Sequence, residues 1–210
     1  MYPGVVAMTV VMTSLFSGLS VVWDREFGFL KELLVAPLSR SGIVLGKAAG
    51  ASLVALAQTA VRLLPARAFG ITPGPLTLAM LLVAVAELSL AVAGLGILVA
   101  SRMRSQQSFQ VVMQLLLFPL LFLSGAFFPV NNLPAWLGFV VRCNPVTYGI
   151  DAIRQLLLGA AVAASDGGRV ALAGVTIFGR VLHVPEELGL VALLGLLFMA
   201  AAAASFGRQE

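Results

Sequence analysis

Charge is scarce in this chain. Asp, Glu, Lys and Arg make up 10% of its 210 residues, and hydrophobic residues make up 60%. A soluble domain carries roughly 25% charged and about 45–50% apolar residues, so the composition argues against a soluble globular enzyme. Cysteine is nearly absent. Cys143 stands alone, which excludes an internal disulfide and any multi-cysteine metal site. The one histidine, His183, has no ligand partner at useful spacing. Acids are few, nine against thirteen basic residues. The pI of about 10.0 therefore reflects missing acids rather than a basic patch. A net charge of +4 gives no reason to expect a nucleic-acid partner. The pattern G-x-x-x-x-G-K-[ST] does not occur, so these residues encode no phosphate-cradling loop of that kind. No Asp, His and Ser cluster as an intramembrane enzyme would need.

Long apolar runs are abundant instead, and the mean hydropathy is +1.04. About 20 apolar residues cross a bilayer, because each adds ~1.5 Å along a helix and the hydrocarbon is ~30 Å thick. Five stretches are expected to span: residues 5–23, 48–66, 76–100, 111–128 and 188–206. The second is the weakest, since it contains Gln58 and Arg62, and the third contains Glu87. "FGITPGP" between them reads as a tight turn, and "SRMRSQQSFQ" as a polar break. Lys and Arg on short loops set orientation. Arg25, Lys31, Arg40 and Lys47 in the 24–47 loop, with Arg102 and Arg104 in the next, put both loops in the cytoplasm. Residues 129–187 then lie outside. With five spans the two ends fall on opposite sides, an arrangement that points to a missing first helix. The expected fold is all-α: one polytopic transmembrane bundle over residues 1–210, with short amphipathic and re-entrant helices, in the inner (plasma) membrane.

The stretch "DREFGFLKELLVAPLSR", residues 24–40, interrupts the oil. Asp24, Arg25, Glu26, Lys31, Glu32 and Arg40 crowd into it. Asp24 is suited to cap a new helix, and Glu26 to sit in its first turn. Phe27, Leu30 and Leu34 fall on one stripe, with Lys31 and Glu32 off it. Pro37 stops the run. Residues 24–36 thus read as a short amphipathic helix at the cytoplasmic face. By itself this pattern suits either a helix resting in the headgroups or one docked in a partner's groove.

Three segments resemble a known family. "WDREFGFLKELLVAPLSRSGIVLGKAAG" is similar to the segment after the second membrane helix of ABC-2 type transporter permeases, especially those like the daunorubicin-resistance permease. "LSGAFFPVNNLPAWLGFVVRCNPVTYGIDAIRQLLLG", residues 123–159, resembles the signature region, with Ser124-Gly125, Phe128-Pro129, Leu133-Pro134, Pro145, Tyr148 and Arg154 in order. "SRMRSQQSFQ" resembles the loop before the fifth helix. The resemblance covers most of residues 1–160. It implies a six-helix membrane subunit with both ends cytoplasmic, a separate ABC ATPase subunit that binds the ATP and Mg, and a second permease copy, identical or paralogous. It implies export of a drug, lipid or lipid-linked glycan, including multidrug efflux and antibiotic resistance. It also implies that the 24–36 helix is the coupling segment. Phe27, Phe29, Leu30, Leu33 and Leu34 would supply contact area, and Arg25, Glu26, Lys31 and Glu32 would fix register. The chain departs from the family at its front, where the first span is absent, and at Arg62 and Arg67.

Prolines 129, 134 and 145 break the outer region. Pro134 suits the first turn of one short helix, "PAWLGFVV", and Pro145 the first turn of another. Asn144 is a good cap for the second. Asp151 and Arg154, three apart, are expected to pair on one face. Tyr148 and Arg154 read as interface anchors or as part of a gate. Glu87 at mid-span is expected to face the bundle interior or a cavity. It has three readings: a structural pair with Arg62, a contact for a cationic or polar cargo, or a neutral acid. Gln58, Gln110 and Gln114 are placed for interhelical hydrogen bonds. An ion-coupled secondary transporter would want several such acids, and a non-transporting remnant or regulator is the other alternative.

Overall fold

The computed structural model describes residues 2–28, 39–66, 74–103, 105–125, 138–141, 144–164, 176–177, 180–181 and 183–207. Among these residues seven helices carry the fold: α1 (Tyr2–Phe16), α2 (Leu19–Glu26), α3 (Arg40–Ala66), α4 (Pro75–Ala100), α5 (Gln106–Phe122), α6 (Pro145–Ala164) and α7 (Val184–Gly207). Among the described residues the one departure from helix and turn is a two-residue antiparallel ladder, Thr176 opposite Val181 and Ile177 opposite Arg180. The all-α expectation holds.

Helix α4 is the hub. It is apolar on every side apart from Glu87, starts with Pro75 at its first turn after an extended Gly74, and touches all six other helices. An all-round apolar helix must bury itself in protein or lipid. Here Leu81, Leu88 and Ile97 are wholly buried, against Leu15, Phe109, Met113 and Ile150 from its neighbours. The outward faces are equally apolar. Leu53, Val61 and Leu64 on α3, Leu115 and Phe118 on α5, and Leu193, Leu196 and Leu197 on α7 are exposed. Patches of that kind are rare on soluble monomers and suit a lipid surround.

Among the described residues four helical stretches are long and apolar enough to cross a membrane: Tyr2–Glu26, Ser41–Pro65, Pro75–Ala100 and Val184–Ser205. They match the first, second, third and fifth expected spans. The fourth differs in register. Helix α5 has 17 residues, starts at Gln106 and ends at Phe122. Ser105 caps it by accepting from the Ser108 N–H at 3.3 Å, so the supposed polar break already begins the helix. Its far end gives way to a turn at Leu123–Gly125, where Gly125 takes φ 76°.

The first span is also not one smooth rod. It breaks at Ser17-Gly18 between α1 and α2. Asp24 does not cap a new helix, because it lies within α2, which runs on to Glu26. The chain turns at Phe27 and at Gly28, whose φ of 83° is easy only for glycine. Of the predicted outer helices, α6 starts at Pro145 as expected. The "PAWLGFVV" helix is seen only in its last turn, 138–141; Pro134 lies outside the described residues.

Candidate functional site

Two polar junctions stand out, one at each end of the bundle, with a thin polar seam between them. The first joins the end of α2 to three spans. Arg25 donates from Nη1 to the Met103 carbonyl at 2.9 Å and from Nη2 to the Ser101 carbonyl at 3.0 Å. These oxygens follow the C-terminus of α4, where carbonyls lack helical partners and a cation is favoured. Asp24 pairs with Lys47 of α3 at 2.6 Å, and Lys47 also donates to Ser20 Oγ at 3.1 Å. The hydroxyls of Ser101 and Ser205 lie 2.7 Å apart, adding the end of α7. Arg25 is therefore engaged inside the chain. The physical reason is that these carbonyls lie past the last turn of α4, within reach of Arg25. Glu26 is exposed, and Phe27 is 68% exposed. Phe29, Leu30, Lys31, Glu32, Leu33 and Leu34 lie outside the described residues.

The seam runs between α1, α3 and α4. Thr13 donates to Gln58 Oε1 at 2.9 Å, joining α1 to α3 as expected of Gln58. Ser14 and Ser89 share a buried hydrogen bond of 2.7 Å between α1 and α4. Tyr2 donates to the Arg62 carbonyl. Glu87 is half-buried and its Oε2 is buried with no hydrogen-bond partner. No ion pair joins it to Arg62 among the described residues. Register explains this. Ser52 donates to the Ala86 carbonyl at 3.5 Å, so Glu87 sits level with Ser52, roughly 15 Å along α3 from Arg62.

The second junction brings the two halves of the 123–159 segment together. Asn144 caps α6 by accepting from the Val146 N–H at 3.0 Å, and donates to the Leu120 carbonyl at 2.9 Å. Thr147 donates to the Val141 carbonyl at 3.1 Å. Arg154 donates to the Gly125 carbonyl at 2.6 Å. Among the described residues Arg154 makes no ion pair with Asp151; it reaches instead the Gly125 carbonyl just past the end of α5. Asp151 is only 3% exposed, and Gln155 bridges it to Glu187, with Nε2 3.2 Å from Asp151 Oδ2 and 3.1 Å from Glu187 Oε1. Tyr148 is 3% exposed and packs with Ala91 of α4 and Val191 of α7. It is a core residue and not an interface anchor.

Sequence reasoning missed Gln155 and Glu187. Glu187 is fully buried and its Oε2 has no partner. A signal existed: two acids in the first turn of a helix, of which Glu186 accepts from the His183 N–H at 3.2 Å as a capping acid does. That leaves Glu187 to face inward. Among the described residues no three His, Cys, Asp or Glu side chains gather as a metal site would require.

The family model for "ABC-2 type transporter" matches residues 1–158. A "Putative transport permease ycf38" of Cyanophora paradoxa is 37% identical over 159 residues, 74% of this chain and 54% of that protein. The "Probable multidrug ABC transporter permease YbhR" of Escherichia coli K12 is 33% identical over 161 residues, 74% of this chain and 43% of that protein. "Nodulation protein J" of Rhizobium leguminosarum bv. trifolii is 34% identical over 159 residues, 74% and 60% of the two chains. The chain spans about half the length of the curated relatives it matches.

Proposed function

Because the chain belongs to the ABC-2 type transporter family, we propose that it is the membrane-spanning subunit of an ATP-driven exporter in the inner (plasma) membrane. It moves a hydrophobic or amphipathic cargo (a drug, a lipid or a lipid-linked glycan) outward by alternating access. ATP and Mg belong to a separate ABC ATPase subunit. The observation that carries the reading is the extent of the family match, which takes in both the charged 24–40 segment and the Asn144–Arg154 helix start. One relative is itself named a probable multidrug ABC transporter permease, which supports efflux as the direction.

The 24–47 region is the coupling segment in this reading. Glu26 and Phe27 near its start are exposed, and Leu30, Leu33 and Leu34 are the residues assigned to the ATPase groove. The outer segment, residues 129–160, is assigned to the exit in this reading. A second permease copy completes the pathway. Its proposed contact is the α5 stripe of Val111, Leu115, Phe118 and Phe122, all exposed, with the two phenylalanine rings stacked at 6.4 Å.

Co-expression with ABC ATPase subunits from the same genome, followed by affinity capture, tests the proposal. The wild-type chain is expected to retain an ATPase subunit in detergent. Leu30→Asp should lose it while inserting in the membrane at the wild-type level. Equal capture by both chains would remove the docking assignment, and no capture by the wild type would remove the exporter reading.

A further inference from the structure

The span that leads into the charged segment is built in two pieces, and the lower piece is fastened to α4 at both ends. At its top, Gly18 meets Gly96 of α4 with no room for a side chain on either. A Cβ on Gly18 would overlap the Gly96 carbonyl, and one on Gly96 would overlap the carbonyl of Leu15 near the end of α1, so this contact pins the break itself to α4. At its bottom, Arg25 holds the carbonyls of Ser101 and Met103 just past the end of α4. Between these fastenings the helix is short and stiff, eight residues from Leu19 to Glu26.

The upper piece is joined to it differently. At the break the backbone bonds skip to three-residue spacing, Ser17 N–H to Ser14 O at 3.2 Å and Val21 N–H to Gly18 O at 2.9 Å. The Ser17 and Ser20 hydroxyls donate to the carbonyls of Ser14 and Ser17 at 2.6 and 2.9 Å. The Ser14 and Ser17 carbonyls each take a backbone N–H and a hydroxyl at once, and such Gly/Ser sites let a helix bend inside a bilayer without stranding polar groups. The break is thus a place where bending is cheap, and the two fastenings are places where sliding is not.

We propose that Arg25 is a positioning residue for coupling: it bolts α2 to the cytoplasmic end of α4, so that the two move as one body and bend against α1 at Ser17-Gly18. This rests on the exporter reading above, in which force enters just beyond α2. Through the Asp24–Lys47 pair and the Ser101–Ser205 hydrogen bond the same body reaches α3 and α7. A push on the segment after Phe27 then displaces the ends of four spans together, rather than levering one helix loose.

Pulsed distance measurements on the captured permease–ATPase complex test this without knowledge of the cargo. In a Cys143→Ser background, one label pair is Trp23→Cys with Arg102→Cys, across the bolt. The other is Trp23→Cys with Val5→Cys, across the break. All three positions are exposed. Between ADP and ATP-vanadate states the bolt distance is expected to hold within about 2 Å, while the break distance shifts by more than about 2 Å. Arg25→Gln should broaden the bolt distance and diminish the nucleotide-driven shift across the break, and Arg25→Lys should restore part of that shift. A bolt distance that opens on ATP with Arg25 intact overturns the proposal, as does an Arg25→Gln complex with both distances unchanged. The unsubstituted label pairs decide the matter even if Arg25→Gln does not fold. Absence of ATPase capture by the wild type overturns the exporter reading and this inference with it; capture with a bolt that opens overturns this inference alone.

Discussion

The two polar junctions use one device for different ends. At each, an arginine donates to carbonyls at the C-terminal end of an apolar helix: Arg25 at the end of α4, Arg154 at the end of α5. Helix ends leave such oxygens without partners, and in an oily bundle few waters can serve them. The surroundings differ. Beyond Arg25 the chain emerges into the open, with Glu26 and Phe27 exposed. Around Arg154 almost everything is enclosed, and Asn144 to Ile153 forms an unbroken buried run. The first junction can both hold the bundle and present a surface. The second can only hold.

That contrast can be broken experimentally, most forcefully at neither junction but at the glycine contact near the first. Gly96→Leu drives a side chain into the Leu15 carbonyl and should cost roughly 3 kcal/mol or more, seen as loss of monodisperse protein after detergent extraction. Next in size is Arg154→Ala, which leaves the Gly125 carbonyl unserved. A drop of about 2 kcal/mol in stability should appear as a lower melting temperature in detergent, together with easier proteolysis around residue 125. Leu30→Asp should do the reverse, abolishing ATPase capture with no change in melting. If both substitutions lower the melting temperature equally, the distinction between a holding and a presenting junction fails.

Smaller effects sharpen the seam between them. Ser14→Ala and Ser89→Ala remove the same hydrogen bond. Each should cost about 1 kcal/mol and the pair little more than either alone, as a double-mutant cycle of unfolding would show. The smallest expected effect is the coupling between Glu87 and Arg62. Glu87 on α4 lies level with Ser52, roughly 15 Å along α3 from Arg62, so the two should add independently within about 0.5 kcal/mol. A larger coupling would restore the ion pair that the register rules out.

Much of the architecture was legible in the chain. Four of five expected spans coincide with membrane-length helices, because a 20-residue apolar run has few alternatives to a helix whose backbone serves itself. Pro145 at a first turn and Asn144 as its cap were readable from two adjacent residues, since capping is local chemistry. The break at Ser17-Gly18 was not, because serine and glycine inside an apolar run are compatible with a straight helix until α4 presses against them. Asp24 was misread as a cap for the same reason: its partner, Lys47, is 23 positions away.

Sequence alone determined that this chain forms apolar helices, roughly where they lie, and that it carries one charged segment among them. Those properties follow from hydropathy, helix period and capping, all of which act within a few residues. Only the tertiary structure decided which polar groups meet. Arg25 turned to Ser101 and Met103, Arg154 left Asp151 for Gly125, and Asp151 met Glu187 through Gln155. In a bundle with little water, each buried donor goes to an unserved acceptor within reach, and reach is set by how the helices pack rather than by spacing along the chain.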